Sequence, residues 1–129
     1  MYVETSAIVA MLTGEADAAD LLFRLEASTD PFTSIVSKVE AALVIGKAMG
    51  DLRRGGELVE EFLDRLGIRT EAVSPDLYRG IMNAAYTYGK GSGHSAKLNF
   101  GDCFSYAMAK QANSPLLYKG DDFARTDLA

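Results

Sequence analysis

The stretch "LNFGDCFSYAMAK", residues 98–110, decides how this chain is read. Phe100, Phe104 and Met108 recur every four positions with Cys103 and Ala107 beside them. That spacing predicts a helix with one broad apolar side packed into a core. Asp102 falls in its first turn. A carboxylate there has an ordinary explanation, because a helix N-terminus favours negative charge by roughly 0.3–1 kcal/mol. Whether that explanation is sufficient depends on the other acids.

Downstream, "SPLLY" is a strand candidate, and "KGDDFARTDLA" (119–129) is a turn carrying Asp121, Asp122 and Asp127. Upstream, "KGSGHSAK" (90–97) is a glycine- and serine-rich loop. It lacks the glycine and lysine spacing of a phosphate loop. "PDLYRGIMNAAYTYG" (75–89) predicts a helix with proline in its first turn. "IRTEAV" (68–73) is a strand candidate, "ELVEEFLDRLG" (57–67) an amphipathic helix, and "DLRRGG" (51–56) a turn. In "FTSIVSKVEAALVIGKAMG" a short strand runs into a helix. Ser37 is the expected N-cap there, and Glu40, three residues on, completes a capping box. Val39, Ala42, Leu43 and Gly46 form that helix's apolar stripe. Residues 17–27 place Ala18, Leu21, Leu22 and Leu25 on one face of another helix. The chain opens with "MYVETSAIVAML": two β-prone residues, then Glu4, Thr5 and Ser6, then an apolar helical run that Thr5 or Ser6 can cap.

Helices alternate with four short strands, which predicts an α/β domain with a parallel sheet and helices on both faces. Sites in such sheets form beyond the carboxyl ends of the strands. Glu4 follows the first strand, and Asp121 and Asp122 follow the last. Glu40 and Asp102 fall in first turns of helices, so four acidic positions distant in sequence can meet at one edge. Clustered carboxylates repel one another. A hard divalent cation such as Mg²⁺ removes that penalty with a few oxygen ligands and its own waters. Such a centre suits phosphodiester chemistry.

The chain has 129 residues, 48% of them apolar, which suits one domain over 1–129 with a sizeable core. Net charge is −5, against a general nucleic-acid binder. Residues 86–129 nevertheless hold Lys90, Lys97, Lys110, Lys119 and Arg125, a candidate cationic rim for a polyanion. No apolar run approaches a membrane span, and no signal segment is visible at the N-terminus. With one cysteine, Cys103, and no intramolecular disulfide, a cytoplasmic setting is expected. One histidine, His94, cannot build a zinc site or a catalytic pair with a distant cysteine. A phosphoacceptor receiver domain is the rival α/β reading, but of its required residues only Lys119 is matched.

Four stretches, "YVETSAIVAML", "SKVEAALVIGKAMG", "YGKGSGHSAKLNFGDCFSYAMAK" and "PLLYKGDDFARTDLA", resemble in order and spacing the PIN-domain ribonucleases of the VapC toxin family, from type II toxin–antitoxin systems. The resemblance covers essentially the whole chain. It implies a PIN-like three-layer α/β/α sandwich with a short, mainly parallel sheet of four or five strands. It also implies Mg²⁺- or Mn²⁺-dependent RNA cleavage, homodimerisation and inhibition by a VapB-like antitoxin. Carried over by position, the metal-binding acids are Glu4, Glu40 and Asp102, with Asp122 as the fourth. Asp121 and Asp127 are helpers, and Ser6 is the hydroxyl after the first acid. One departure stands out: the family's first acid is ordinarily Asp in D-T-S-A, whereas this chain has E-T-S-A. The extra methylene leaves open a second reading, a weakened or inactive PIN domain that binds antitoxin or RNA.

Overall fold

Two-residue strands can form a sheet only if their neighbours are placed for them, and here the parallel pairing starts from β1 (Tyr2–Val3). The computed structural model describes residues 1–129. β1 is followed by α1 (Thr5–Thr13) and α2 (Ala18–Glu26), then β2 (Phe32–Ser34), α3 (Ile35–Met49) and α4 (Leu52–Arg65). β3 (Arg69–Glu71), α5 (Tyr78–Tyr88), α6 (Phe100–Gln111) and β4 (Leu116–Leu117) complete the chain, with a single 3-10 turn, Pro75–Leu77, before α5. The sheet order is β3-β2-β1-β4, and every pairing is parallel. Tyr2 pairs with both Phe32 and Leu116, so β1 is flanked on each side. This is the α/β/α sandwich expected, with four strands. No helix is long and apolar enough to cross a membrane.

Strand alternation divides the core in two. Val3 and Leu117 point into one cluster with Ala7, Ile8, Leu21, Leu25, Ala41, Ile45, Val59 and Leu63, from α1 to α4. Their neighbours Tyr2 and Leu116 point into the other, with Phe32, Leu98, Cys103, Ala107, Met108 and Phe123. Ala18, Leu21 and Leu25 are therefore buried within the chain itself, and Leu58, Phe62 and Leu66 pack against the same core.

Three local expectations are corrected. α3 begins two residues before Ser37: Ser34 is the N-cap, and its hydroxyl accepts from Ser37 N–H at 3.3 Å. Glu40 thus lies beyond the first turn and caps nothing. Val39 and Leu43 are exposed rather than core-facing, since α3 buries Ser37, Ala41 and Ile45 instead. "DLRRGG" is not a turn but the start of α4, capped by Asp51, whose Oδ1 accepts from Arg54 N–H at 3.0 Å. Its glycines persist in a helix because α3 and α4 touch through Gly46 and Gly55. A Cβ on Gly55 would fall on the Gly46 backbone and lie 2.7 Å from the Ala42 carbonyl oxygen. The α3–α4 turn itself needs Gly50, at φ 70°.

This contact separates two adjacent glycines. Gly55→Ala overpacks the crossing and should destabilise by about 1–3 kcal/mol. Gly56→Ala has nothing within 4 Å of the new Cβ and should gain up to about 1 kcal/mol from helix propensity. Denaturant midpoints of both variants check the opposite signs.

Candidate functional site

Glu4 leaves β1 and becomes the N-cap of α1, in place of Thr5 or Ser6. Its Oε2 accepts from Ser6 N–H at 2.7 Å and from the Ser6 hydroxyl, which itself accepts from Lys119 N–H at 2.9 Å. The loop after β4 thereby braces the first acid through Ser6. The side chain is only 5% exposed, and Oε1 has no protein partner.

Asp102 occupies the third helical position of α6 in a reciprocal capping box with Asn99: each side chain accepts from the other's N–H at 2.9 Å. The ordinary explanation of this residue is realised, but it uses Oδ2 alone. Glu40 reaches across from α3. Thr5 Oγ1 donates to its Oε1 at 3.1 Å, and its carboxylate lies over Gly101 in the first turn of α6. A Cβ on Gly101 would sit 2.5 Å from both Glu40 oxygens, so glycine at this position is what admits the side chain.

These acids share one field. Burial, with the charges of Asp102 and Glu40 adding to it against the Ser6 hydrogen bonds, pushes Glu4 up to about 7. Burial likewise raises Asp102 to about 6, helped by Asp122 and Glu40 and opposed by Asn99 N–H and Lys90. Asp122 is the acid of the adjacent pair whose charge reaches Asp102; Asp121 stands beside it on the exposed turn. No lysine or arginine forms an ion pair with Glu4, Glu40, Asp102 or Asp122. The donor set is all carboxylate oxygen with no ion-pair partner, a chemistry that fits a hard divalent cation. No three of these side chains, as they stand, are grouped to hold a metal ion; an ion that keeps several of its waters needs only one or two of them directly.

Other expectations need correction. Asp127 is elsewhere: it accepts from Tyr106 at 2.7 Å and pairs with Lys110 at 2.8 Å, two turns further along α6 than Asp102. The cationic rim is also thinner than the sequence suggests. Lys119 lies between Glu15 and Asp17, and Lys110 is held by Asp127, which leaves Lys90, Lys97 and Arg125 exposed and without an ion pair, Arg125 donating to the Ser95 carbonyl. Phe100 is 78% exposed and lies against Phe104 at 4.9 Å between ring centres, so the apolar stripe of α6 begins on the surface. Three buried hydroxyls outside the expected set form a group: Ser34, Ser37 and Ser105, all bonded to Tyr2. The signal was available, since Ser37 lies one turn before Glu40 and Ser105 one turn after Asp102.

The raised carboxyls have a consequence for stability. Between the ordinary value of 4.5 and about 7, folded Glu4 holds a proton that the unfolded chain has lost. Stability of the metal-free protein should therefore fall as pH rises through that window, by up to about 3 kcal/mol from Glu4 alone. Asp102 adds to the fall over the lower part of the range. Urea midpoints in EDTA at pH 5 and 7.5 should show most of this decline removed in Glu4→Gln. Parallel curves for parent and variant would refute the assignment.

A family model described as "PIN domain" matches residues 1–128. Ribonuclease VapC42 of Mycobacterium tuberculosis is 43% identical over 128 residues, covering 99% of this chain and 96% of that protein. Ribonuclease VapC30 of the same organism is 43% identical over 129 residues, with 100% and 96% covered. Among solved structures, M. tuberculosis VapC20, described as a Sarcin-Ricin loop cleaving toxin, superposes with a TM-score of 0.71 at 20% identity, over 95% of this chain and 92% of that one. The last likeness shows the fold. With the family match and the close relatives it leads to one conclusion: this chain belongs to the PIN-domain family, in its VapC branch.

Proposed function

We propose that this chain is a divalent-metal-dependent endoribonuclease, the toxin of a toxin–antitoxin pair, formed by a single PIN domain over residues 1–129 and acting in the cytoplasm. What supports this reading is the shared field of Glu4, Glu40 and Asp102, with Asp122 reaching Asp102 and none of the four in an ion pair. The names of the relatives supply the substrate class. Glu4, Glu40, Asp102 and Asp122 would hold Mg²⁺ or Mn²⁺, with Asp121 beside them. Bound there, the cation would lower the pKa of a water and offset charge on phosphate oxygens.

The chain's own residues orient and charge the site. Ser6 fixes Oε2 of Glu4, Thr5 and Gly101 set the height of Glu40, and Asn99 holds one oxygen of Asp102. Lys90 and Lys97 supply cations for an RNA backbone. tRNA or rRNA is the target class in this reading. A VapB-like antitoxin is the partner, so an antitoxin-sized reading frame beside the gene is required.

One observation favours a second reading, a weakened domain that mainly binds its antitoxin or RNA. Glu4 bends back onto Ser6 and stays partly protonated near neutral pH, both of which lower its value as a ligand. Cleavage of a bulk tRNA pool with Mg²⁺ or Mn²⁺, against an EDTA control, tests both. Asp102→Asn should abolish cleavage, and Glu4→Asp should raise it about ten- to a hundredfold by correcting a small misplacement. Gly101→Ala should lower it about 10–100-fold, through displaced Glu40, without lowering stability. Cleavage that survives EDTA removes the metal mechanism. An inactive parent with an active Glu4→Asp variant selects the second reading.

Assembly belongs to the same proposal. Ile35, Val39 and Leu43 recur every four residues on α3 and are half exposed, with Val44, Met49 and Leu52 nearby. A twofold dimer would cover such a face, whereas the inward residues of α2 and α4 cannot serve, being used in the core. Light scattering should show a dimer at micromolar concentration and a monomer for Val39→Glu/Leu43→Glu. A monomeric parent would end the dimer reading.

A further inference from the structure

Beneath the acids lies a polar cluster with no access to solvent. Tyr2, Ser34, Ser37 and Ser105 are each fully buried. The Tyr2 hydroxyl is 2.8 Å from Ser34 Oγ, 2.8 Å from Ser37 Oγ and 3.4 Å from Ser105 Oγ. Ser37 and Ser105 also meet at 3.3 Å. A phenol can donate once and accept twice, so three partners fill its capacity. Its ring is held edge-on against Phe32 at 5.4 Å between centres.

The placement of the partners ties this cluster to the site. Tyr2 precedes Glu4 by two residues, across the end of β1. Ser37 precedes Glu40 by three and Ser105 follows Asp102 by three, each on the carboxylate's own helix face and about 4.5 Å along the axis. Ser34 caps α3. Each of the three elements carrying a buried or half-buried acid therefore returns one hydroxyl to the same point. Apolar residues could fill this space, and hydroxyls in it must all be satisfied to be tolerated. The cluster joins β1, α3 and α6 by directional side-chain bonds.

We propose that Tyr2 is a positioning residue: its hydroxyl, bonded to Ser34, Ser37 and Ser105, sets the separation of Glu4, Glu40 and Asp102 and hence the affinity of the site for a divalent cation. The inference rests on the metal-site reading above. Tyr2 touches neither substrate nor cation. It acts through the rotation and height of α3 and α6 relative to β1. Tyr2 bonds no carboxylate itself but fixes the helices that carry two of them. The loss on removing a ligand's own partner, typically about 10–100-fold, sets the scale, and Tyr2→Phe removes only the oxygen.

Two measurements test this on the full chain. The first is Mn²⁺ affinity, read by electron paramagnetic resonance of free Mn²⁺. Tyr2→Phe should weaken it about 10–100-fold. Leu25→Ala, a truncation in the opposite core cluster on α2, which carries none of the site acids or cluster hydroxyls, should lower the melting temperature yet leave Mn²⁺ affinity unchanged. That comparison separates positioning from general loosening. The second is the metal-free crystal structure of Tyr2→Phe beside that of the parent, in which the spacing of the three carboxylates should change. Unchanged spacing overturns the proposal whether or not metal binds, and so does unchanged Mn²⁺ affinity. A parent that binds no Mn²⁺, with spacing that still depends on Tyr2, defeats the metal-site reading and the affinity claim while leaving the hydroxyl's control of geometry intact. If Tyr2→Phe does not fold, Ser105→Ala, which removes one of the three bonds, carries both measurements with the same expected directions.

Discussion

Negative charge gathered without an ion-paired partner is the constraint that the rest of this molecule accommodates. Glu4, Glu40, Asp102 and Asp122 come from elements spread over the whole chain and feel one another through a partly buried edge. Left alone, like charges in a low-dielectric setting drive apart or take up protons. The fold restrains them with fixed dipoles. Ser6 N–H and hydroxyl hold Glu4, Asn99 N–H holds Asp102, and Thr5 holds Glu40. Two of the acids also sit at helix N-termini, where the macrodipole is favourable. These bonds offset only part of the cost of burying the carboxylates, and burial, with the repulsion added, leaves Glu4 and Asp102 raised.

Restraint of this kind depends on close approach, and the chain achieves it with small residues where two elements must touch. Gly101 lets a glutamate from α3 lie over the first turn of α6, and Gly46 and Gly55 let α3 and α4 meet backbone to backbone. α3 is thus fixed from one side by α4 and from the other by α6 and the Tyr2 hydroxyl cluster. This helix is short of apolar contacts on its outer face, where Val39 and Leu43 are exposed. Its inner face is anchored in the core by Ala41 and Ile45, and its flank contacts set the height at which Glu40 leaves it.

Much of this was legible in the chain. Four strands, the helices between them and the carboxyl-end location of the acids follow from hydrophobic period and turn residues, which act over a few positions and need no tertiary context. The misread parts share a cause. Ser34 and Ser37 are both competent caps, and only the pairing of β2 decides that the strand ends at Ser34. "LRRGG" reads as a turn by composition, and only the approach of α3 shows why glycine is there. Asp127 stands beside the acidic turn in sequence, yet Lys110 and Tyr106 hold it elsewhere.

The sequence by itself determined the elements, their parallel α/β class and the residue types available for chemistry, because each is a property of neighbouring positions. The tertiary structure alone decided which acids share a field, which lysines are already paired and which hydroxyls meet beneath the site. Those are distances between residues far apart in the chain, such as the 103 positions from Tyr2 to Ser105. Such distances arise only when several helices pack at once on one sheet, and no local pattern of residues encodes them.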